Sequence, residues 1–520
     1  MLRRGDGDTR LTSLRVSLDI SLNALGAESA AHRLLRLIAL LPVGMAAADC
    51  VAALADGAPI DAEKAAAAKL EAARLAGRRD DRWRLLAPVR ETLLQDYPPQ
   101  AQDKARLVKL FLARAALGWC IGRAGWDEVR ESVTAEAGNF DAMIKVASIE
   151  STLPDGLARA AIGLANLHRF TGLASVASLR EVAARLGRSG DARGQADCIR
   201  VLGEIALDRC NYGVARTFCE AALSLYRKIG DMLGEANCIK GFGDIALRCS
   251  DLENAGAQYE MALPLYRAVG EVLSVANCIF RLGEIAFAHS DYATARAQYV
   301  AARPLCCEVG DVLGEANCIA SLGHLALARS DYEVARAQFQ AALPLFRRIG
   351  AVAGEANCIQ CLGNIALRRS DYDSARDHYE AALKLHRRVG DVLGEANCIE
   401  GLGEVALRRS NRDEAREHFD AALPLFRQID HALGAANCIQ GLGDIDAANN
   451  DIASARDRWS EALALYGRIA NHYQIGGVHN RLARRAATAA EAAAHREAAR
   501  RAWASIGRAD LIANFLDKAP

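Results

Sequence analysis

The chain has 520 residues with 64 basic and 64 acidic side chains, so its formal net charge is zero at neutral pH. This balance argues against the broad basic surface that binding to nucleic acid or to an anionic membrane requires. The most apolar run, residues 34–54, is interrupted by charged residues, Pro42 and Gly44, and predicts buried helices, not a membrane span. No secretory signal follows Met1, so we expect a cytoplasmic protein without a membrane partner.

Residues 9–100 are predicted to form a small winged-helix-like domain. Leucines at helical spacing predict three amphipathic helices before residue 55, and a fourth runs over residues 61–75. Residues 75–86 then place two short apolar segments around a polar turn, which is typical of a hairpin, and Pro88 suits the first turn of another helix.

Three blocks of this region resemble a known signalling module. The segments are residues 13–25, 32–42 and 83–91. Their amino-acid sequences and their order resemble the winged-helix segment of bacterial STAND signalling ATPases of the NB-ARC type. The resemblance implies a module that packs against an ATPase core and transmits its state. No Gly-x-x-x-x-Gly-Lys-[Ser/Thr] motif occurs in this chain, so nucleotide binding is not carried over and the partner would be a separate P-loop ATPase module.

DNA binding through the winged helix is the alternative use of this domain. The arginines around the hairpin would then contact phosphates: Arg74, Arg78, Arg79, Arg82 and Arg84. Asp80 and Asp81 in the same turn and the neutral total charge disfavour this alternative. We therefore expect nucleic acid to be absent from the partners.

Residues 101–189 are predicted to form a helical adaptor. Residues 138–141, Gly-Asn-Phe-Asp, suggest a turn or cap, and Pro154 with Asp155 opens a further helix. Gly163 precedes Gly203 by 40 residues, so a degenerate first repeat is expected between about 150 and 189.

The rest of the chain is organised by a 40-residue period. The tetrapeptide Ala-Asn-Cys-Ile begins at residues 236, 276, 316, 356, 396 and 436, and a variant, Ala-Asp-Cys-Ile, begins at 196. A fixed period of this length predicts one pair of helices stacked on copies of itself, because a single pair cannot bury its own apolar face. Seven units are predicted over residues 190–469.

Residues that typically cap helices predict where the two helices of each unit begin. Gly-Asp pairs, as at residues 230–231, predict a left-handed glycine closing one helix and an aspartate capping the next. A capping box, as at Ser250 and Glu253, is predicted to start the second helix. The same box recurs at Ser330, Ser370 and Ser410.

The repeated unit resembles the tetratricopeptide repeat. Ile319, Leu322 with Gly323, Ala335, Phe339 and Ala342 stand where that family has its apolar, Leu-Gly, small, aromatic and small residues. The resemblance implies an all-α, tetratricopeptide-type helical-hairpin superhelix of 40-residue units. Residues 470–520 depart from the pattern, and we interpret them as a degenerate C-terminal capping repeat, with a basic docking surface as the alternative.

Cysteines occur once per repeat at an equivalent position, as Cys238 and Cys278 do. Neighbouring repeats are held too far apart for these cysteines to form disulfides along the series, since a disulfide needs Cα atoms within about 7 Å. We expect small buried apolar side chains in a reducing compartment. No cysteine or histidine set has the spacing of a metal site, and no cofactor is expected.

The resemblance also implies a binding groove lined by the first helices, with the second, fifth, ninth and thirteenth residues of each unit pointing into it. The second position is a ladder of amides suited to the backbone of an extended peptide: Asn237, Asn277, Asn317, Asn357, Asn397 and Asn437. The other candidate groove residues occupy the ninth and thirteenth positions: Asp244, Glu284, His324, Asn364 and Glu404, then Arg248, Arg368 and Arg408. The mostly acidic ninth position predicts basic residues in the partner. The alternative is that the ladder is structural or a product of recent duplication.

No motif of catalysis accompanies this pattern. The sequence has neither a Gly-x-Ser-x-Gly elbow nor a His-Glu-x-x-His helix, and its histidines are scattered. We therefore expect a non-enzymatic protein that binds a protein or peptide in the groove, as the sensor or scaffold part of a STAND-type signalling system. A stand-alone scaffold without switching and a DNA-binding transcriptional regulator are the alternatives.

Overall fold

A computed structural model of the chain describes residues 7–26, 29–54, 60–120, 126–171 and 176–517. They belong to two compact units, Met1–Gly270 and Glu271–Pro520. The fold is all-α and built mainly from helical hairpins, with one small sheet near the N-terminus.

The first helices and the sheet form the N-terminal part of the first unit. The helices are α1 (Gly7–Leu25), α2 (Ala30–Ala39), α3 (Asp49–Leu54), α4 (Ile60–Ala72) and α5 (Ala87–Asp96). The strands are β1 (Met45–Ala46), β2 (Gly77–Arg79) and β3 (Arg82–Arg84). β3 pairs antiparallel with both other strands, in the order β1-β3-β2. The predicted hairpin is therefore found, and β1, which has only two residues, adds a third strand that the sequence pattern did not indicate.

Further helices connect this part to the repeats. They are α6 (Ala101–Ala115), a 3-10 turn (Ala116–Cys120), α7 (Trp126–Ala135), α8 (Ala137–Ser148), α9 (Leu157–Thr171) and α10 (Ala177–Ser189). The expected turn at residues 138–141 is wrong, because these residues lie inside α8. Asn139 is fully buried there and bonds to the loop before β1, accepting from the backbone N–H of Val43 at 3.0 Å and donating to the Gly44 carbonyl at 2.8 Å.

One apolar core runs through the first part of this unit without interruption. It begins at Leu18 in α1, includes Trp83 in β3 and Phe111 in α6, and ends at Ile205 in the first repeat. Two arginines, each bonded to a buried carboxylate, also join the N-terminal helices to α6, with Arg33 bonded to Asp103 and Arg114 to Asp49. The first repeat is thus packed on the helices that precede it.

The repeats are pairs of helices of 17 or 18 residues. The first unit holds α11 (Ala192–Asp208), α12 (Tyr212–Ile229), α13 (Met232–Arg248) and α14 (Leu252–Val269). The second unit holds α15 (Val272–Ala288), α16 (Tyr292–Glu308), α17 (Val312–Ala328), α18 (Tyr332–Arg348), α19 (Val352–Arg368), α20 (Tyr372–Val389), α21 (Val392–Arg408), α22 (Arg412–Gln428), α23 (Ala432–Ala448) and α24 (Ile452–Arg468). It ends with α25 (His472–Arg484), α26 (Ala489–Ala504), α27 (Ala509–Ile512) and a π-helical turn (Ala513–Asp517).

The turn between two repeats follows the prediction. Gly230 ends α12 with a φ of 69°, in the left-handed region where a residue without a Cβ meets no steric penalty. The Asp231 carboxylate caps α13 by accepting from the backbone N–H of Gly234 at 3.0 Å. Glycine and aspartate thus close one helix and open the next.

Inside each repeat, the residue that caps the second helix lies one position after the serine of the predicted capping box. Ser250 has a φ of 60° and its backbone N–H bonds to the Leu247 carbonyl, so it terminates α13 in the left-handed conformation. Asp251 is the capping residue, and its carboxylate accepts from the backbone N–H of Asn254 at 3.2 Å. The equivalent serines take the same conformation: Ser330, Ser370 and Ser410.

The cysteine of each repeat is buried, as predicted. Cys238, Cys278, Cys318, Cys398 and Cys438 have no exposed surface and Cys358 is 2% exposed. Within the described residues, no helix is both long enough and apolar enough to cross a membrane.

Candidate binding face of the first helices

The predicted groove residues lie on one side of the first helix of each repeat. In α13 the residues Ala236, Cys238 and Ile239 are buried, whereas Asn237 and Asp244 remain partly accessible. The spacing of the second, fifth, ninth and thirteenth residues follows the helical period, so these side chains share one face. We call it the first-helix face, and it is present separately in each of the two units.

Two of the six ladder asparagines are held by tyrosines of their own repeat. The hydroxyl of Tyr266 donates to the Asn237 side-chain oxygen at 2.8 Å, and that of Tyr466 donates to Asn437 at 2.7 Å. Tyr226 bonds to Asp197 at 2.5 Å in the same way. In these repeats the residue at the second position provides the acceptor that a buried tyrosine needs.

The other four asparagines lack such a donor. Their repeats replace the tyrosine with Cys306, Phe346, His386 and Phe426. In the described part of the second unit, no hydrogen bond is made by the side chains of Asn277, Asn317, Asn357 and Asn397. These four amides, one per repeat over four consecutive repeats, therefore have donors and acceptors that no hydrogen bond within the described residues uses.

This division predicts a difference in stability between two ladder positions. Replacing Asn237 with alanine is expected to lower the local unfolding free energy of its repeat by about 1 kcal/mol, because Tyr266 loses that acceptor. Replacing Asn357, which has no such contact, is expected to change it by less than about 0.5 kcal/mol. Amide hydrogen exchange in α13 and α19 measures both values. Equal losses at the two positions would contradict the assignment.

The ninth position is mostly occupied by groups that the chain itself satisfies. Asp244 accepts from the Tyr259 hydroxyl at 2.7 Å and pairs with Lys240 at 2.7 Å. Arginines of the same helices pair with Glu284 and Glu404, each at 2.7 Å. Asn364 accepts from the Tyr379 hydroxyl at 2.7 Å. These carboxylates already have cations, so the ninth position by itself does not require a basic partner.

The remaining predicted residues have different surroundings. His324 stacks edge-on against Phe339, with 5.0 Å between ring centroids. Arg248 and Arg368 are exposed and form no ion pair within the described residues, whereas Arg408 is bonded to Glu404.

Glu400 stands at the fifth position of α21, one of the positions that the tetratricopeptide resemblance places in the groove, and its surroundings differ from those of the other candidates. Burial raises the pKa of its carboxyl group to about 7, and the neighbouring Glu404 carboxylate acts in the same direction. The neighbouring Asn437 amide and the Arg368 charge oppose the shift. The sequence signal for this site is a pair of glutamates four residues apart, at positions where the repeats of α11 and α13 carry a cation and an anion.

The hairpin arginines are largely used within the protein. Arg82 pairs with Glu136 of α8 at 2.5 Å and donates to the Gly44 carbonyl at 2.7 Å. Arg78 bonds to Asp81, and Arg79 lies 3.8 Å from Asp80. Only Arg74 and Arg84 of the five have no such partner in the described residues, so the hairpin presents little free positive charge to DNA.

The C-terminal helices cover the end of the last repeat. Val478 and Leu482 of α25 are buried against Ile439 of α23 and Trp459 of α24. Arg481 pairs with Asp444 at 2.8 Å and Arg500 with Asp517 at 2.7 Å. The basic side chains left exposed without a partner among the described residues are Arg484, Arg485, Arg496 and Arg501. No group of three or more metal-ligating side chains is found in the described ranges.

A family model for the tetratricopeptide repeat matches residues 355–428 and 395–468. No curated protein sequence matches the chain. Among solved structures, a STAND protein with a tetratricopeptide repeat sensor from Pyrococcus horikoshii matches 85% of this chain with a TM-score of 0.64 at 13% identity. The chain spans 63% of the length of that protein.

Two other solved structures resemble the chain more weakly. A Rap protein complexed with Competence and Sporulation Factor matches 70% of this chain and 99% of its own length, with 13% identity and a TM-score of 0.47. The quorum sensor NprR from B. thuringiensis matches 69% of this chain and 96% of its own length, with 11% identity and a TM-score of 0.45. The family match and the helical hairpins together identify the chain as a protein with tetratricopeptide repeats.

Proposed function

We propose that this chain is a non-enzymatic protein that binds an extended segment of a partner protein along the first-helix face of its second unit. The observation that carries this proposal is the run of four uncommitted asparagine amides, Asn277, Asn317, Asn357 and Asn397. Each offers two donors and one carbonyl acceptor, which match the N–H and C=O groups of an extended backbone. Folding does not require asparagine at a partly accessible helical position, where its propensity is mediocre.

We further propose that the chain is the sensor or scaffold part of a STAND-type signalling system. The fold likeness to a STAND protein with a tetratricopeptide repeat sensor supports this assignment, as does the resemblance of residues 13–91 to the winged-helix segment of such proteins. A bound segment would favour one arrangement of the protein over another and so change its affinity for a P-loop ATPase module. The internal pairing of Arg78 and Arg82 disfavours the DNA-binding alternative.

The test is affinity capture with the full chain and a variant in which Asn277, Asn317, Asn357 and Asn397 are all changed to alanine. Each lost hydrogen bond is worth roughly 1 kcal/mol, so capture of a groove ligand is expected to fall at least tenfold. Mass spectrometry quantifies the captured proteins.

A matched control changes four exposed polar residues at one equivalent position of the second helices to alanine: Glu260, Gln340, Glu380 and Asp420. This control is expected to capture the same proteins as the parent. Equal capture by the parent and the asparagine variant, with melting temperatures unchanged, would exclude the amide ladder as the binding site.

A further inference from the structure

The fifth and ninth positions of the first helices carry opposite charges in the first unit. Lys240 pairs with Asp244 at 2.7 Å in α13, and Arg200 pairs with Glu204 in α11. Both are contacts between residues four apart, the spacing at which opposite charges stabilise a helix. In these two repeats the chain supplies both the anion and its cation.

The repeat that contains α21 instead carries like charges at these two positions. It has Glu400 at the fifth position and Glu404 at the ninth, so two like charges stand four residues apart, which destabilises an isolated helix. Arg408 pairs with Glu404 at 2.7 Å. No lysine, arginine or histidine nitrogen lies within 4.0 Å of the Glu400 carboxylate in the described part of the chain.

The Glu400 carboxylate has one polar neighbour of fixed orientation. The Tyr466 hydroxyl donates to the side-chain oxygen of Asn437 at 2.7 Å, and the Asn437 amide acts to lower the pKa of Glu400. Glu400 is partly buried, and a partly buried carboxylate without a cation is costly. The carboxylate is therefore partly accessible and has no cation within ion-pair distance in the described residues, and the Arg368 charge acts on it only from further away.

We propose that Glu400 is a subsite for a lysine or arginine side chain of the bound segment, with the ligand supplying the cation that the chain does not place within ion-pair distance of this carboxylate. This inference rests on the proposed function, because the uncommitted amides of Asn357 and Asn397 would hold the backbone of that segment nearby. The sequence predicted basic residues in the partner from the acidic residues at the ninth position. We now place the contact with such a residue at Glu400, at the fifth position.

The pH dependence of cation binding at Glu400 depends on which neighbouring groups change their charge near pH 7. The charged and titratable neighbours come from five helices: Arg368, Tyr379, Glu404, Cys438 and Tyr466. Burial holds the pKa values of Tyr379, Cys438 and Tyr466 above their ordinary values, so these groups stay neutral near pH 7. Glu404 stays paired with Arg408. As the pH falls from 8 to 6, Glu400 becomes protonated, and this change weakens the binding of a ligand cation at the subsite.

The probe is a display library of random 12-residue peptides, selected on the immobilised full chain. The selection is repeated on a Glu400→Gln variant and on a Glu380→Gln variant, which removes an exposed carboxylate from the second helix α20. We expect peptides selected on the parent at pH 8 to carry lysine or arginine at one fixed position, enriched several-fold over the library. The enrichment should persist with Glu380→Gln, weaken at pH 6 and vanish with Glu400→Gln, whereas the rest of the consensus remains.

The possible failures are distinguishable. A consensus without a basic position, or a basic position that Glu400→Gln leaves unchanged, overturns the subsite and keeps the proposed function. If no peptide is enriched on the folded parent, both the proposed function and the subsite are wrong. Circular dichroism of each immobilised variant before selection verifies that the helices are intact.

Discussion

Replacing Gly163 with alanine is expected to destabilise the first unit by about 3 kcal/mol. A Cβ atom at Gly163 would lie 2.1 Å from the Ala115 carbonyl oxygen, and one at Gly118 would lie 2.1 Å from the Gly163 carbonyl oxygen. Helix α9 thus crosses the end of α6 and the following turn at backbone contact. The obstacles are main-chain atoms, which cannot change rotamer, so the two elements must separate.

The matched control is Gly213→Ala in α12. Apart from its chain neighbours and the nearby backbone of its own helix, no atom lies within 4 Å of the Cβ position there. Alanine therefore adds helix propensity without a clash and is expected to stabilise by about 0.5 kcal/mol. Urea unfolding and amide hydrogen exchange of α6 and α9 measure the two effects. A Gly163→Ala protein as stable as the parent would show that this crossing is looser than described.

Replacing Glu400 with glutamine is expected to stabilise the repeat that contains α21 by roughly 3 kcal/mol at pH 8 and hardly at all at pH 4. The folded-state pKa of Glu400 is raised to about 7 from an ordinary value of 4.5, chiefly by burial. The folded protein therefore binds this proton more tightly than the unfolded chain does. The parent loses stability as the pH rises from about 4.5 to about 7 and loses no more from this group above that range. Glutamine is neutral throughout and avoids the loss.

Hydrogen exchange of α21 amides at several pH values measures this difference. Glu380→Gln, at an exposed position of α20, should give a difference that does not vary with pH. The stability difference between the parent and Glu400→Gln is expected to change between pH 4 and pH 8. If it stays constant over that range, the pKa of Glu400 is not raised. A residue that serves binding and not folding should show both effects. Its replacement by glutamine should make the protein more stable and should remove the preference for lysine or arginine in the selected peptides.

Local rules explain which features of the fold were predictable. The 40-residue period, the buried Cys238 and its equivalents, and the left-handed Gly230 before the capping Asp231 each depend on residues close together in the chain. Helical spacing, glycine conformation and aspartate capping act over one or two turns, so the sequence displays them directly. The capping box failed at Ser250 because serine competes with Asp251 for the same turn, and the left-handed φ of 60° decides between them.

The candidate site depends on contacts that sequence spacing does not reveal. Asn237 and Asn357 both stand in the hexapeptide Gly-Glu-Ala-Asn-Cys-Ile, but the first is bonded to Tyr266, 29 residues away, and the residue equivalent to that tyrosine in the second repeat is His386, which has no hydroxyl. Glu400 likewise becomes distinctive through Asn437, which approaches from the next repeat. The periodic sequence alone determined the repeated helical hairpin and the face on which the polar ladder lies. Packing between helices decided which members of that ladder are satisfied internally and which carboxylate lacks a cation, because burial and hydrogen bonding are properties of neighbours in space.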